Sequence, residues 1–170
     1  MRVLIVDDSL LFRRFVHSIL GQRQDVQVVG EASDGLEAVQ KVQELSPDLI
    51  LLDVGLPKLN GIEAARQIRE IAPQSKILFV SAMGDSQLAA EALQTSGSGY
   101  VVKALAGCEL LSAVDAVLRG EVFVSSGLTI DDLVAPHRPQ KLQPTVTMQL
   151  RFTRMTHPFF VVSVVLSKPL

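Results

Sequence analysis

The chain has 170 residues, 48% of them apolar and 20% charged, with a formal net charge of −2. That length holds one full domain and a short appendage, and that charge argues against a nucleic-acid binder or a membrane-surface protein. The one cysteine, Cys108, excludes an intrachain disulfide and a thiolate metal cluster, and reads as a small apolar residue near a helix start. The opening MRVLIVDDS has too short an apolar run for a signal peptide, and nowhere are there the ~20 apolar residues that span a bilayer, so the cytoplasm is the expected compartment and no membrane partner is expected.

In chain order, five short apolar runs alternate with five helical patterns. The first run is Val3–Val6. After it, Leu11, Phe12, Phe15, Val16, Ile19 and Leu20 recur at spacings of three and four, which predicts a helix capped by Ser9 and stopped at Gly21. Val26–Val29 is the second run. A helix from Asp34 or Gly35 follows, burying Leu36, Val39 and Val42 and ending before Pro47. Leu49–Leu52 precedes a third helix, from about Gly61 to Ile71, stopped by Pro73. Ile77–Val80 precedes a fourth, near Ser86–Gln94. Tyr100–Val102 precedes the fifth, Glu109–Leu118, which buries Leu110, Leu111, Val114 and Val117 and stops at Gly120.

Continuous apolar runs suit strands buried on both faces, and strict strand–helix alternation predicts a doubly wound parallel sheet. No G-x-G-x-x-G follows the first strand, which favours the flavodoxin-like (βα)5 order 2-1-3-4-5 over the dinucleotide-binding one. Ligands in such sheets bind beyond the carboxyl ends of the strands where the winding reverses, here between strands one and three. Asp7 and Asp8 end the first strand, Asp53 the third, Ser81 the fourth and Lys103 the fifth. Taken singly, the acids would pass for helix caps or turn residues, the lysine for a solvated surface group, and the serine for nothing. Together they put three carboxylates, a hydroxyl and an ammonium on one sheet edge. Three acids so close repel unless a cation joins them, and magnesium takes oxygen ligands and keeps several waters. Phosphoryl transfer needs mainly positioning and charge neutralisation. Asp53 would be the nucleophile, Lys103 a point charge on the phosphoryl oxygens, and Ser81 a hydrogen-bond donor to another of them.

VLIVDDS, LILLDVGLPKLNG, ILFVSA and GYVVKA resemble the four signature stretches of the response-regulator receiver domain of two-component signalling, the CheY-like family, over about residues 1–122. The resemblance implies that Asp8, Asp53 and the Gly55 carbonyl ligate magnesium, with Asp7 acting through water. It implies that a sensor histidine kinase phosphorylates Asp53, that Lys103 and Ser81 hold the phosphoryl group, and that Tyr100 is the aromatic switch residue. AVLRGEVFVS is similar to the end of receivers in DNA-binding regulators of the LuxR/FixJ type. Two positions depart from the pattern. Ala104 stands where many relatives have a cis proline, and a non-proline cis bond costs ~3 kcal/mol, so a trans or reshaped loop is expected. Gly55 replaces a bulkier residue, which should let water reach an acyl phosphate more easily.

Two rivals fit less well. A haloacid-dehalogenase-type phosphatase resembles D-x-D-x-[TV], and Asp53-Val54-Gly55 lacks the second acid that would turn the intermediate over. A flavin-binding flavodoxin needs a Ser/Thr-rich phosphate loop after the first strand, where Asp7 and Asp8 would repel a phosphate. His17, His137 and His157 show no metal-ligand spacing.

The charge is uneven along the chain. Residues 1–132 carry 11 basic and 18 acidic groups, whereas 133–170 carry five basic groups and no acid. Residues 123–144 read as a linker, with PHRPQKLQP its extended part. Residues 145–170 read as an extension, where Val146, Met148, Leu150 and Phe152 alternate and FFVVSVVL forms a second apolar run, the pattern of a two-stranded hairpin. A helix-turn-helix output has no counterpart there, so DNA is not an expected partner of this chain alone. The expected function is a receiver that takes a phosphoryl group on Asp53 and switches contacts with a downstream protein, the chain itself forming a homodimer. The alternative is the receiver part of a DNA-binding regulator whose output domain is absent from the chain.

Overall fold

The computed structural model describes residues 1–95 and 97–128, all within one compact unit, Met1–Val134. The expected linker from residue 129 onward and the expected hairpin lie outside the described residues. The elements alternate as β1 (Arg2–Val6), α1 (Leu10–Leu20), β2 (Gln27–Ala32), α2 (Gly35–Leu45), β3 (Leu49–Asp53), α3 (Gly61–Ile71), β4 (Lys76–Ser81), α4 (Ser86–Thr95), β5 (Gly99–Val102) and α5 (Ala106–Leu118). Residues Phe123–Val124, read from the sequence as the start of a linker, form a sixth strand, β6. The sheet is parallel, in the order β2-β1-β3-β4-β5-β6, so the predicted 2-1-3-4-5 winding is observed with one strand added at the edge.

The pleat explains why the runs are apolar throughout. Leu4, Val6, Ile50, Leu52, Ile77, Phe79 and Tyr100 point to the face covered by α2, α3 and α4. Val3, Ile5, Leu49, Leu51, Leu78, Val80 and Val101 point to the face covered by α1 and α5. Successive residues therefore serve two cores, and a strand with helices on both sides has no solvent-facing positions to make polar.

The expected Ser9 cap is observed, and Asp34 and Asn60 cap the next two helices. Ser9 accepts from Phe12 N, Asp34 from Glu37 N, and Asn60 from Glu63 N, each contributing about 1 kcal/mol. Three residues of the expected apolar faces are corrected. Leu36 is 53% exposed, and α2 buries Ala38 beside the expected Val42. Leu11 and Phe15 are exposed as well, while Val16, Ile19 and Leu20 carry the buried stripe of α1. The fifth helix begins at Ala106 rather than Glu109, because a 3-10 turn over Lys103–Leu105 runs straight into it. Among the described residues there is no cis peptide bond, so the bond from Lys103 to Ala104 is trans.

Candidate functional site

β1 and β3 are hydrogen-bonded neighbours, with Val6 opposite Leu52. The residues that follow them, Asp7 and Asp8, therefore meet Asp53 at one sheet edge. One carboxylate oxygen from each of the three acids lies within 4.8 Å of the other two. Asp7 and Asp53 are buried and Asp8 is exposed. α3 holds Asp53 from below. A Cβ on Gly61 would fall 2.0 Å from the Asp53 carbonyl oxygen, so only glycine lets the helix start this close, and Gly61 N donates to Val54 O at 2.9 Å. The loop between β3 and α3 is tied to the start of α2 by an ion pair of Lys58 with the cap Asp34, at 2.5 Å.

Lys103 closes the cleft from β5. Its Nζ lies 2.6 Å from Asp7 Oδ2 and donates to Asp53 Oδ2 at 2.9 Å. That Asp7 oxygen is fully shielded from solvent, and its charge is met by the Lys103 ammonium. Burial pushes the Asp7 carboxyl above its ordinary range. Lys103 and the Ser9 N–H, which donates to Asp7 Oδ1 at 2.9 Å, pull it back without cancelling the rise, and the Asp53 charge adds to it. Burial alone would lower the Lys103 ammonium, but Asp7 and Asp53 outweigh it and hold the lysine above its ordinary value.

Ser81 ends β4, buried, with its Oγ accepting from Met83 N at 3.2 Å. Tyr100 lies fully buried under the same loop, and its hydroxyl donates to Met83 O at 2.8 Å. Its ring thus already occupies the inward position, and burial raises its phenol. Gly55 N donates to Asp53 Oδ1 at 3.2 Å, the other side of the carboxylate from lysine.

Three further interactions were not expected. Arg13 donates to Asp7 O at 2.7 Å and pairs with Glu31, fixing the strand end. The Phe12 ring lies 4.8 Å, to its centroid, from Lys103 Nζ. Glu109 and Ser125 join the start of α5 to the segment after β6. Phe12 had a signal, an aromatic one turn beyond the Asp pair, but its spacing marked it as core.

The cleft therefore sets three carboxylates against one ammonium, a net negative charge on hard oxygen donors. That set fits magnesium better than a soft transition metal. Fold and cleft together define a doubly wound α/β protein with a cluster of three carboxylates at its switch point. A family model described as "Response regulator receiver domain" matches residues 3–115. The transcriptional regulatory protein DegU of Brevibacillus brevis is 35% identical over 129 residues, 76% of this chain and 55% of DegU. A LuxR-family two-component response regulator from Aurantimonas sp. SI85-9A1 superposes with a TM-score of 0.69 at 34% identity, over 72% of this chain and 87% of that one. A chain of the CheX-CheY-BeF3-Mg2+ complex from Borrelia burgdorferi does so with 0.66 at 30% identity, over 69% and 89%. The chain belongs to the response regulator receiver family. It spans between about half and two thirds of the length of the curated relatives it matches.

Proposed function

We propose that Asp53 accepts a phosphoryl group from a sensor histidine kinase, and that this switches the domain's protein contacts. The observation that carries the reading is the Asp53 carboxylate itself, buried at a strand end within reach of two more acids and 2.9 Å from an ammonium. Family membership fits a phosphoacceptor switch. One relative's structure was determined with BeF3 and Mg2+, which supports the same chemistry here.

An Asp53 carboxylate oxygen forms the new P–O bond. The P–N bond of the donor phosphohistidine breaks, and its electron pair stays on the imidazole nitrogen. Asp8, Asp53 and the Gly55 carbonyl would hold magnesium, with Asp7 reaching it through water. Bound there, the ion supplies neutralisation of the charge on the phosphoryl oxygens. Lys103 moves from Asp53 to a phosphoryl oxygen. Ser81 has a hydroxyl proton to donate to another, and doing so draws the loop after β4 toward the site. The inward Tyr100, bonded to that loop at Met83, is the switch residue, and the face of α4 and β5 is where a downstream protein would read it. Position 55 offers no second acid to activate water, although it leaves water free to approach, which describes a self-dephosphorylating switch rather than a turnover enzyme. The homodimer belongs to the same proposal.

A second reading, the receiver part of a transcriptional regulator, is favoured by the match to DegU and by the 55% of DegU that the chain spans. Labelling with acetyl phosphate tests the shared core of both. Wild type should label in magnesium and lose labelling in chelator, and Asp53→Asn should not label, because an amide is no nucleophile. Full labelling of that variant would refute the proposal.

A further inference from the structure

Lys103 reaches the cleft on a flexible four-carbon stem, and at present two carboxylates hold it. Acylation of Asp53 removes one of them, since an acyl phosphate oxygen no longer carries the carboxylate charge. Something must keep the ammonium at the cleft mouth while it changes partners. Among the described residues, the Phe12 ring from α1 also lies against it.

That ring is fixed from several sides. It packs, partly buried, against the core shared by α1 and α5, and its neighbour Phe15 lies 5.9 Å away, centroid to centroid, tilted by 47°. Its own backbone N–H donates to the Ser9 cap at 3.4 Å, and the Ser9 N–H donates to Asp7 Oδ1. Asp7 in turn pairs with Lys103. The acid that binds the lysine thus also sets the turn that aims the ring at it, and the circuit closes on the ammonium.

Building on the receiver reading, we propose that Phe12 is a positioning residue for phosphoryl transfer, its ring face holding the Lys103 ammonium at the mouth of the acid cleft. An aromatic face suits the task better than a third acid would. It attracts the cation through its quadrupole, over a range of positions and without a directional hydrogen bond. It therefore leaves the ammonium protons free for phosphoryl oxygens and adds no negative charge to repel the donor. A leucine of similar bulk would fill the space and exert no such pull.

The test uses the full chain with phenylalanines of increasing ring fluorination at position 12, together with Phe12→Leu and Phe12→Tyr. Fluorination empties the ring face of negative charge with little change of shape, so packing alone predicts no trend. One readout is the ε-methylene proton shift of Lys103 in the free protein, moved upfield by the ring and expected to return to the ordinary lysine position in Phe12→Leu. The other is the affinity for beryllofluoride, a phosphoryl mimic, in saturating magnesium. It should fall stepwise along the fluorinated series, by about three- to tenfold at its end and in Phe12→Leu, and Phe12→Tyr should preserve it. An affinity indifferent to fluorination, or a lysine shift unmoved by Phe12→Leu, overturns this proposal alone. A wild-type protein that binds no beryllofluoride overturns the receiver reading and this proposal with it.

Discussion

Burial holds the Asp7 carboxyl above its ordinary range, although Lys103 pairs with its inner oxygen at 2.6 Å. A carboxyl whose folded-state value is raised stabilises the fold below its unfolded value, near 3.8, and loses that contribution as pH rises through the folded value. At neutral pH the Asp7 charge is therefore a cost to the fold, kept for what it binds. Asp7→Asn retains an oxygen for the Ser9 N–H and removes the charge. We expect its thermal midpoint without divalent cations to rise by a few degrees and its magnesium affinity to fall at least about tenfold. Calorimetry with and without magnesium measures both, and a lowered midpoint in chelator would contradict the assignment. The acids, Ser81 and Lys103 were legible in the sequence because each directly follows or ends an apolar run, and parallel strands deliver their carboxyl ends to one edge. Phe12 was not, because an aromatic at helical spacing reads as core, and only the folded chain brings a lysine from β5 across its face.

At the scale of elements, periodicity gave five strands and five helices, but not the edges of the buried stripes. Leu11, Phe15 and Leu36 share the spacing of their buried neighbours, yet each is exposed. β6 has two residues, too few for an alternation to register. Phe123 and Val124 each pack against one of the two cores, and polar contacts just beyond them add to the hold. Ser125 Oγ accepts from Val102 N at 3.0 Å and donates to Glu109, and Ser126 donates to Glu109 Oε1 from its N at 3.1 Å. Burial would raise the Glu109 carboxyl, but the donors from Ser125 and Ser126 outweigh it and hold it below 4.5. That contribution is present above 4.5 and lost as pH falls through the lowered folded value. Ser125→Ala leaves the Val102 N–H without a partner, at an expected cost of about 1–3 kcal/mol in urea unfolding. Glu109→Gln should flatten the loss of stability on acidification below 4.5. An unchanged urea midpoint in Ser125→Ala would show that the contact contributes nothing.

For the whole molecule, the acids stop at Asp132, and the last 38 residues carry only basic charge. Phe159–Leu166 contains no charged residue and one polar one, Ser163. A run of such high strand propensity is an aggregation hazard if left in water, so a soluble chain should bury it. An isolated hairpin is marginal in water and needs a surface to lie on. A second copy of the chain offers the same segment by symmetry, and an isologous pair closes without leaving a free edge to propagate. We therefore expect the full chain to sediment as a dimer. Every described element lies before residue 129, and among the described residues the five helices and the sheet build two hydrophobic cores. Deleting residues 136–170 should accordingly leave a folded monomer that still labels on Asp53 with acetyl phosphate. Sedimentation of both proteins at high micromolar concentration decides the matter. A monomeric full-length chain would dismiss the dimer, and a truncated chain that still dimerises would move the interface onto the receiver itself.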